Sequence, residues 1–244
     1  KSMNLILDVG NSYVKMAVFT NNKLHYREIL KPNLNLTSFL KAIKSLPDIM
    51  NVIISSVSEL NVDVYSYLNT NYKVIDINNQ LKFPFENCYN TPNTLGGDRL
   101  ALAAAASFYY PNKNVLIIDA GTCITYDLIN ASNQYLGGGI SPGIAMRYKS
   151  LNYFTSRLPL LDSKNDSKLI GTDTNRSIES GVINGVISEI DGIISQYMME
   201  FDDLTVVLTG GDSEFLSMQL KNSIFANSNF LLEGLNYLLQ FNLD

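Results

Sequence analysis

The feature that most constrains this chain is a pattern that occurs twice. LILDVGNSYVKMAVF (5–19) is an apolar strand run broken by Asp8, Gly10, Asn11 and Ser12, and LIIDAGTCITYDLINASNQYLGG (116–138) repeats it with Asp119 and Gly121. Leu5 and Leu116, Asp8 and Asp119, Gly10 and Gly121, and Asn22 and Asn133 are all 111 positions apart. Each copy reads as strand, tight Asp-x-Gly turn, strand, polar turn, strand, with NN at 21–22 and NASN at 130–133 as the second turns. One short match could arise by chance, but a spacing shared across turns and strands implies a duplicated unit.

The segments after the two copies are alike in character. In the first half, helical spacing over 38–46 and 59–69 alternates with strand-like runs over 51–57 and 72–77. In the second, helical patterns over 174–201 and 213–221 flank a strand over 203–211, and a last helix fits NYLLQF. Antiparallel strands succeeded by alternating helices and strands, twice over, predict two α/β halves with a cleft between them. The 244 residues leave room for both. The boundary is expected near Pro111 to Asn114, giving halves 3–112 and 113–244, with Met3 read as the start after Lys1 and Ser2.

The two turns suggest chemistry. A glycine between apolar strands permits positive φ and uncovers backbone amides, which lets a turn approach a phosphate. Asp8 and Asp119, expected at strand ends on one cleft, suit a hard cation carrying a polyphosphate, since Mg2+ takes one or two carboxylates and completes its shell with phosphate oxygens and water. Asn11, Ser12, Thr122 and Thr125 add small hydrogen-bonding groups. Read singly, either turn is also an ordinary hairpin. TGG (209–211) is equally a plain strand-to-helix turn or a flat wall for a ligand. GGGISPG (137–143) makes a rigid, side-chain-poor segment, and no Gly-Lys-Ser or Gly-Lys-Thr comes after it to make it a Walker A loop.

In YNTPNTLGGDRLALAAAASFYY (89–110), Gly96, Gly97, Asp98 and Arg99 open a helix expected over 100–108. Asp98 is either a helix-start residue with Arg99 as its ion partner, or the acceptor of a hydroxyl proton with Arg99 binding an anion. Other chemistries are excluded by count. With His25 as the single histidine, expected to be an ordinary strand residue, neither a histidine triad nor a multi-histidine metal site can form. Cys88 and Cys123 are too few for a disulfide framework and are expected to be reduced packing residues. Lys and Arg number 18 against 23 Asp and Glu, a net charge of -5, so neither nucleic acid nor an anionic membrane is an expected partner. No apolar run approaches the roughly 18 residues of a membrane span and nothing resembles a signal peptide, which makes the cytoplasm the expected compartment.

Taken together and in this order, DVGNSYVK (8–15), YNTPNTLGGDR (89–99), DAGTCITYD (119–127), GGGISPG and TGG resemble the motifs of the type III pantothenate kinase family, within the acetate and sugar kinase, Hsp70 and actin superfamily. The resemblance runs over nearly the whole chain from Met3. It implies a duplicated ribonuclease H-like (actin-like ATPase) α/β fold with mixed five-stranded sheets, and ATP-dependent phosphorylation of pantothenate at its primary hydroxyl. By position it assigns Asp8, Val9, Gly10, Asn11, Ser12, Tyr13, Val14, Lys15 and Thr122 to ATP, with Gly210 and Gly211 in the adenosine motif and Asp8 near Mg2+. Asp119 matches the site of a monovalent cation, potassium or ammonium. Tyr89, Gly96, Gly97, Asp98, Arg99 and Thr174 match pantothenate positions, Asp98 being the proton acceptor, and the family implies a homodimer.

Departures from the family pattern are Gly97, where alanine or valine is commoner, Ser12 for threonine, and Ser177 for alanine. Three rival readings remain: another small-molecule kinase or phosphatase of this fold, a non-enzymatic nucleotide-binding regulator, or a long helix over 174–201 that serves as an assembly surface, although its stripe of Ile187, Ile190, Ile194, Tyr197, Met198 and Phe201 is of the kind more often found in a core. Tyr89, Asp98 and Arg99 weigh against the regulator, which needs no hydroxyl-accepting site.

Overall fold

The computed structural model describes residues 3–46, 48–77, 81–162 and 167–243. They fall into two compact units. One runs to Pro111 and takes in Asn133–Tyr135 and the stretch from Asn229 on; the other comprises Asn112–Ser132 and Leu136–Ser228.

The first unit begins with β1 (Met3–Val9), β2 (Val14–Thr20) and β3 (Lys23–Leu30), then α1 (Leu36–Ile43), β4 (Ile49–Ser56), α2 (Val62–Asn71) and β5 (Lys73–Asp76). Its sheet has the order β3-β2-β1-β4-β5; β1, β2 and β3 pair antiparallel, while β4 and β5 run parallel to β1. Strand alternation divides the central strands between two cores. Leu5, Leu7, Val9, Val14, Met16, Val18, Val52 and Ile54 pack with Phe39 and Ile43 of α1 and Val64 and Leu68 of α2. The opposite face meets α3 (Gly97–Tyr109) and the C-terminal α7 (Phe230–Phe241). Between β5 and α3 come β6 (Glu86–Asn87) and a 3-10 turn at Pro92–Thr94.

The placement of α7 has a polar cause. Asn51 donates to Asn4 at 3.2 Å, Asn4 to Asn236 at 3.0 Å, and Asn236 to the carbonyl of Asn21 at 2.7 Å. The buried amides of Asn4 and Asn236 satisfy each other only with α7 seated on β1, because a buried amide without partners is costly. The last helix therefore groups with the first unit although it ends the chain.

The second unit holds β7 (Val115–Ala120), β8 (Cys123–Ile129), most of β9 (Gln134–Pro142), α4 (Ile144–Tyr153), α5 (Thr174–Glu200), β10 (Thr205–Thr209), α6 (Ser213–Ser217) and β11 (Phe225–Ala226). Its sheet order is β11-β10-β7-β8-β9-β6, a six-stranded mixed sheet in which two-residue strands form both edges. The sixth strand arises because Glu86 and Asn87 pair with Gln134 and Tyr135 at the start of β9. Leu116, Ile118, Ile124, Tyr126, Val206 and Leu208 form one core with Ile178, Val182, Val186, Ile190 and Ile194 of α5. Of the apolar stripe on that helix, Ile190 and Ile194 are fully buried, Ile187, Tyr197 and Phe201 pack partly buried against them, and Met198 is 40% exposed.

Smaller differences have local reasons. The pattern over 213–221 delivers only a five-residue helix, and α4 begins after Gly143 where the sequence showed glycine and proline rather than periodicity. Cys88 is exposed and Cys123 half-buried, so Cys88 is no packing residue. His25 lies on the outward side of β3, whose residues alternate between exposed and half-buried. Among the described residues no helix is long and apolar enough to cross a membrane.

Candidate active site

In the first unit, alternation that sends Leu7 and Val9 into one core sends Asp8 to the face lined by α3 and α7. Lys15 is its cross-strand partner, with Nζ 3.4 Å from Asp8 Oδ2. Burial pushes the Asp8 carboxyl above 3.8; the charge on Lys15 pulls it back, and Asp98 nearby raises it again. Burial outweighs the ion pair because the lysine side chain is 31% exposed and well screened. The turn after Asp8 is closed by Gly10 N–H donating to Tyr13 O at 3.0 Å, and Ser58 Oγ donates to Gly10 O at 3.1 Å. Asn11, Ser12 and Tyr13 stand exposed at its tip. Val9 and Val14 are buried anchors, so their contribution to any ligand is backbone only.

The start of α3 sits beside this turn. Gly96 is the N-cap residue, at φ -62° and ψ 142°, and Asp98 lies in the first helical turn with Oδ1 accepting the amide of Arg99 at 2.8 Å. That bond satisfies one of the helix's free N–H groups and fixes the carboxylate. The glycines leave space for their neighbours: a Cβ on Gly96 would come 2.4 Å from Asp98 Oδ1 and displace it, and one on Gly97 would press on Ile77 at 3.1 Å and Ser55 at 3.3 Å. Arg99 is buried with its guanidinium 5.7 Å from the centre of the Tyr89 ring, which packs in turn against Tyr135. A buried cation against an aromatic ring, next to a fixed carboxylate, suits a small anionic ligand carrying a hydroxyl.

The second unit repeats the turn with one change. Asp119 again lies one residue from the end of its strand, but its cross-strand partner is Thr125, whereas Asp8 faces Lys15. The spacing of 111 therefore holds between β1 and β7 and slips by one beyond the turn, because 121–123 do the work of 10–13. Gly121 N–H closes this shorter turn on Cys123 O at 2.9 Å, leaving Thr122 exposed at the tip. GGGISPG backs it: Gly143 N–H donates to Thr122 O at 3.1 Å, and a Cβ on Gly143 would come 2.1 Å from Gly121 O. TGG approaches from β10, where Gly210 has φ +96° and a Cβ would fall 2.4 Å from both Asp119 Oδ1 and Ala120 O.

An unforeseen polar cluster holds the glycine-proline segment. Arg147 donates to Pro142 O at 2.9 Å and Ser141 Oγ at 3.0 Å and pairs with Glu189, which also accepts from Tyr126. Glu189 loses ease of ionisation to burial, but hydrogen bonds from Ser141 and Arg147 outweigh it and leave its carboxyl below 4.5. Nothing in the sequence pairs Arg147 with a residue 42 positions away. Thr174 is the exposed first residue of α5, after Asp173 caps the helix by accepting Arg176 N–H at 3.0 Å. Asp8, Lys15, Gly97, Asp98, Arg99 and Tyr89 thus gather in the first unit; Asp119, Thr122, Gly210 and Gly211 belong to the second.

The profile describing type III pantothenate kinases matches residues 4–196. A type III pantothenate kinase of Christiangramia forsetii is 52% identical over 240 residues, covering 98% of this chain and 99% of that one. The chain belongs to the type III pantothenate kinase family. Solved structures agree on fold alone. A Campylobacter jejuni protein described as a transcriptional activator of the Baf family superposes with a TM-score of 0.60 at 22% identity over 98% of each chain. The ROK hexokinase of Thermus thermophilus does so at 0.53 and 12% identity, over 99% of this chain and all of that one. The duplicated ribonuclease H-like, actin-like fold is therefore shared with sugar kinases, and the family membership comes from sequence.

The donors fit the ions that the family implies. Among the described residues no three histidine, cysteine or acidic side chains cluster to hold a metal. A divalent ion here would have to lean on Asp8 and on substrate oxygens, as Mg2+ commonly does. For a monovalent cation, Asp119 stands across the strand pair from Thr125, whose buried Oγ1 has no hydrogen-bond partner, beside the carbonyl-rich turn that Gly210 crowds.

Proposed function

We propose that this protein transfers the γ-phosphoryl group of ATP to the primary hydroxyl of pantothenate, giving 4'-phosphopantothenate at the start of coenzyme A synthesis. Membership of the family supports the reaction, and the single observation that supports this site is Asp98, held at the start of α3 between Gly96 and the Arg99 amide and within electrostatic reach of Asp8.

The mechanism rests on what these groups can do. Phosphoryl transfer passes through a loose transition state in most analyses, so positioning and charge neutralisation outweigh strong base catalysis. Arg99 takes the pantothenate carboxylate with Tyr89 as its wall, and Asp98 accepts the hydroxyl's hydrogen bond and then its proton as the oxygen bonds to phosphorus and ADP leaves. Gly96 and Gly97 leave room for the substrate's approach, and Thr174 completes the pantothenate positions. Asp8 to Lys15, Thr122, Gly210 and Gly211 are the nucleotide positions, with Lys15 exchanging its bond to Asp8 for one to phosphate. Bound at Asp8, Mg2+ would supply charge neutralisation on the triphosphate; Asp119 would hold potassium or ammonium.

We assign the protein to the cytoplasm, in keeping with its need for ATP and the free thiols of Cys88 and Cys123. A homodimer is in keeping with the 82% and 80% exposure of Tyr153 and Phe154 and the similar exposure of Leu169 and Ile170. The test is a coupled ADP-release assay with pantothenate against a panel of sugars and short acids, in potassium and in sodium. Turnover confined to pantothenate and stimulated by potassium is expected. Turnover on a sugar in its place would sink the reading, and equal rates in the two salts would remove the cation role of Asp119.

A further inference from the structure

A serine lies between the two acids of the first unit. Ser55, the last residue but one of β4, is the register neighbour of Asp8 on parallel β1, so both side chains leave the sheet on the same face. It is fully buried, and its Oγ lies close enough to the Asp8 carboxylate to ease that group's ionisation slightly, but outside the geometry of a full hydrogen bond. The same atom lies 3.3 Å from the place of a Cβ on Gly97, so it also forms the floor under the helix turn that carries Asp98. A buried hydroxyl whose one neighbouring acceptor is poorly aligned is costly where alanine would fit, which points to another state in which the bond is fully made.

Lys15 indicates that state. Asp8 is turned towards Lys15 at 3.4 Å, yet the lysine side chain is 31% exposed and sits beside the turn. A nucleotide phosphate would draw the ammonium off, leaving the carboxylate without that donor while it still has to keep its distance from Asp98. We propose that Ser55 is a positioning residue whose hydroxyl donates to Asp8 when Lys15 turns to phosphate, holding the carboxylate for the divalent ion. This rests on the kinase reading of the site. Alanine removes the donor and cysteine keeps a weak one of similar size.

The experiment titrates Mn2+, a paramagnetic substitute for Mg2+, into the ADP complex of the full chain and reads its affinity by electron paramagnetic resonance. Ser55→Ala is expected to weaken Mn2+ binding about tenfold, the usual effect of removing a partner of a metal ligand, with Ser55→Cys in between. Metal-free ADP affinity by calorimetry stays within about twofold, and kcat falls by a factor like that for Mn2+ while the pantothenate KM is unchanged. Mn2+ affinities in both variants within about twofold of the unaltered protein would overturn the proposal, and a lowered Tm with unaltered Mn2+ binding would make Ser55 a packing residue only. Should the unaltered protein's ADP complex bind Mn2+ no better than ADP alone, Asp8 holds no metal and the proposal falls, while the kinase reading is decided separately by turnover on pantothenate.

Discussion

Gly96→Ala separates the work of the helix start from its stability. The added Cβ falls 2.4 Å from Asp98 Oδ1, about 1 Å inside ordinary van der Waals contact. The backbone itself accepts alanine, since φ -62° and ψ 142° lie in the common extended region. Restricting the unfolded chain should stabilise by about 0.4–1 kcal/mol, and losing the charged bond from Oδ1 to the Arg99 amide should cost about 1.5–3 kcal/mol. The chain therefore folds, with Tm lowered by roughly 1–10 °C for a protein of this size. The carboxylate is the part that yields, by about 1 Å, and a misplacement of that order costs about 100-fold, or roughly 2.7 kcal/mol of transition-state stabilisation. Steady-state ADP release with both substrates varied, beside a thermal melt, should show kcat down about 100-fold with the ATP KM within about twofold. A kcat within about threefold of the unaltered enzyme would show that the Asp98 carboxylate is not the group that aligns the hydroxyl.

Other perturbations probe neighbouring groups. Asp98→Asn should lower kcat by about 100-fold or more with nucleotide affinity by calorimetry nearly intact; near-normal turnover would remove Asp98 from the mechanism. The raised Asp8 pKa means that its charge opposes folding above that value, and the opposition fades as pH falls through it. Asp8→Asn should accordingly abolish activity yet raise Tm at neutral pH, by an amount that shrinks in acid, and a lower Tm at pH 7 would contradict the burial argument. Glu189 has the opposite sign, its stabilisation being present above 4.5 and lost as pH falls through the lowered folded value. Glu189→Gln should lower Tm at neutral pH by a few degrees and flatten the acid side of the melting profile; an unaltered acid limb would show that the cluster with Arg147 carries no such linkage. Gly210→Ala, at φ +96° and against Asp119, should lower Tm and weaken potassium stimulation together; stimulation at full strength would separate TGG from the cation site.

Much of this architecture was legible because its signals are local. The alternation of LILDV and LIIDA, the Asp-x-Gly turns and the alanine-rich run behind Asp98 each declare their element within a few residues, and the duplication is visible as a spacing. The slip by one at the second turn was not legible, since backbone closure on Tyr13 O in one copy and Cys123 O in the other is decided by hydrogen-bond geometry. Ser55 left only a faint trace, a polar pair closing the apolar run NVIISS, and Arg147 with Glu189 left none.

By itself the sequence determined the family, the strands that flank the paired turns and the helix whose first turn carries Asp98, because periodicity, glycine and helix-start preferences act over short stretches of chain. Only the tertiary structure decided that α7 returns to the first unit through Asn4 and Asn236, that Ser55 lies against both Asp8 and the start of α3, and that Gly210 crowds Asp119. Those relations join residues far apart in the chain. They are set by sheet register and by the need of buried polar groups for partners, and neither is written in any one segment.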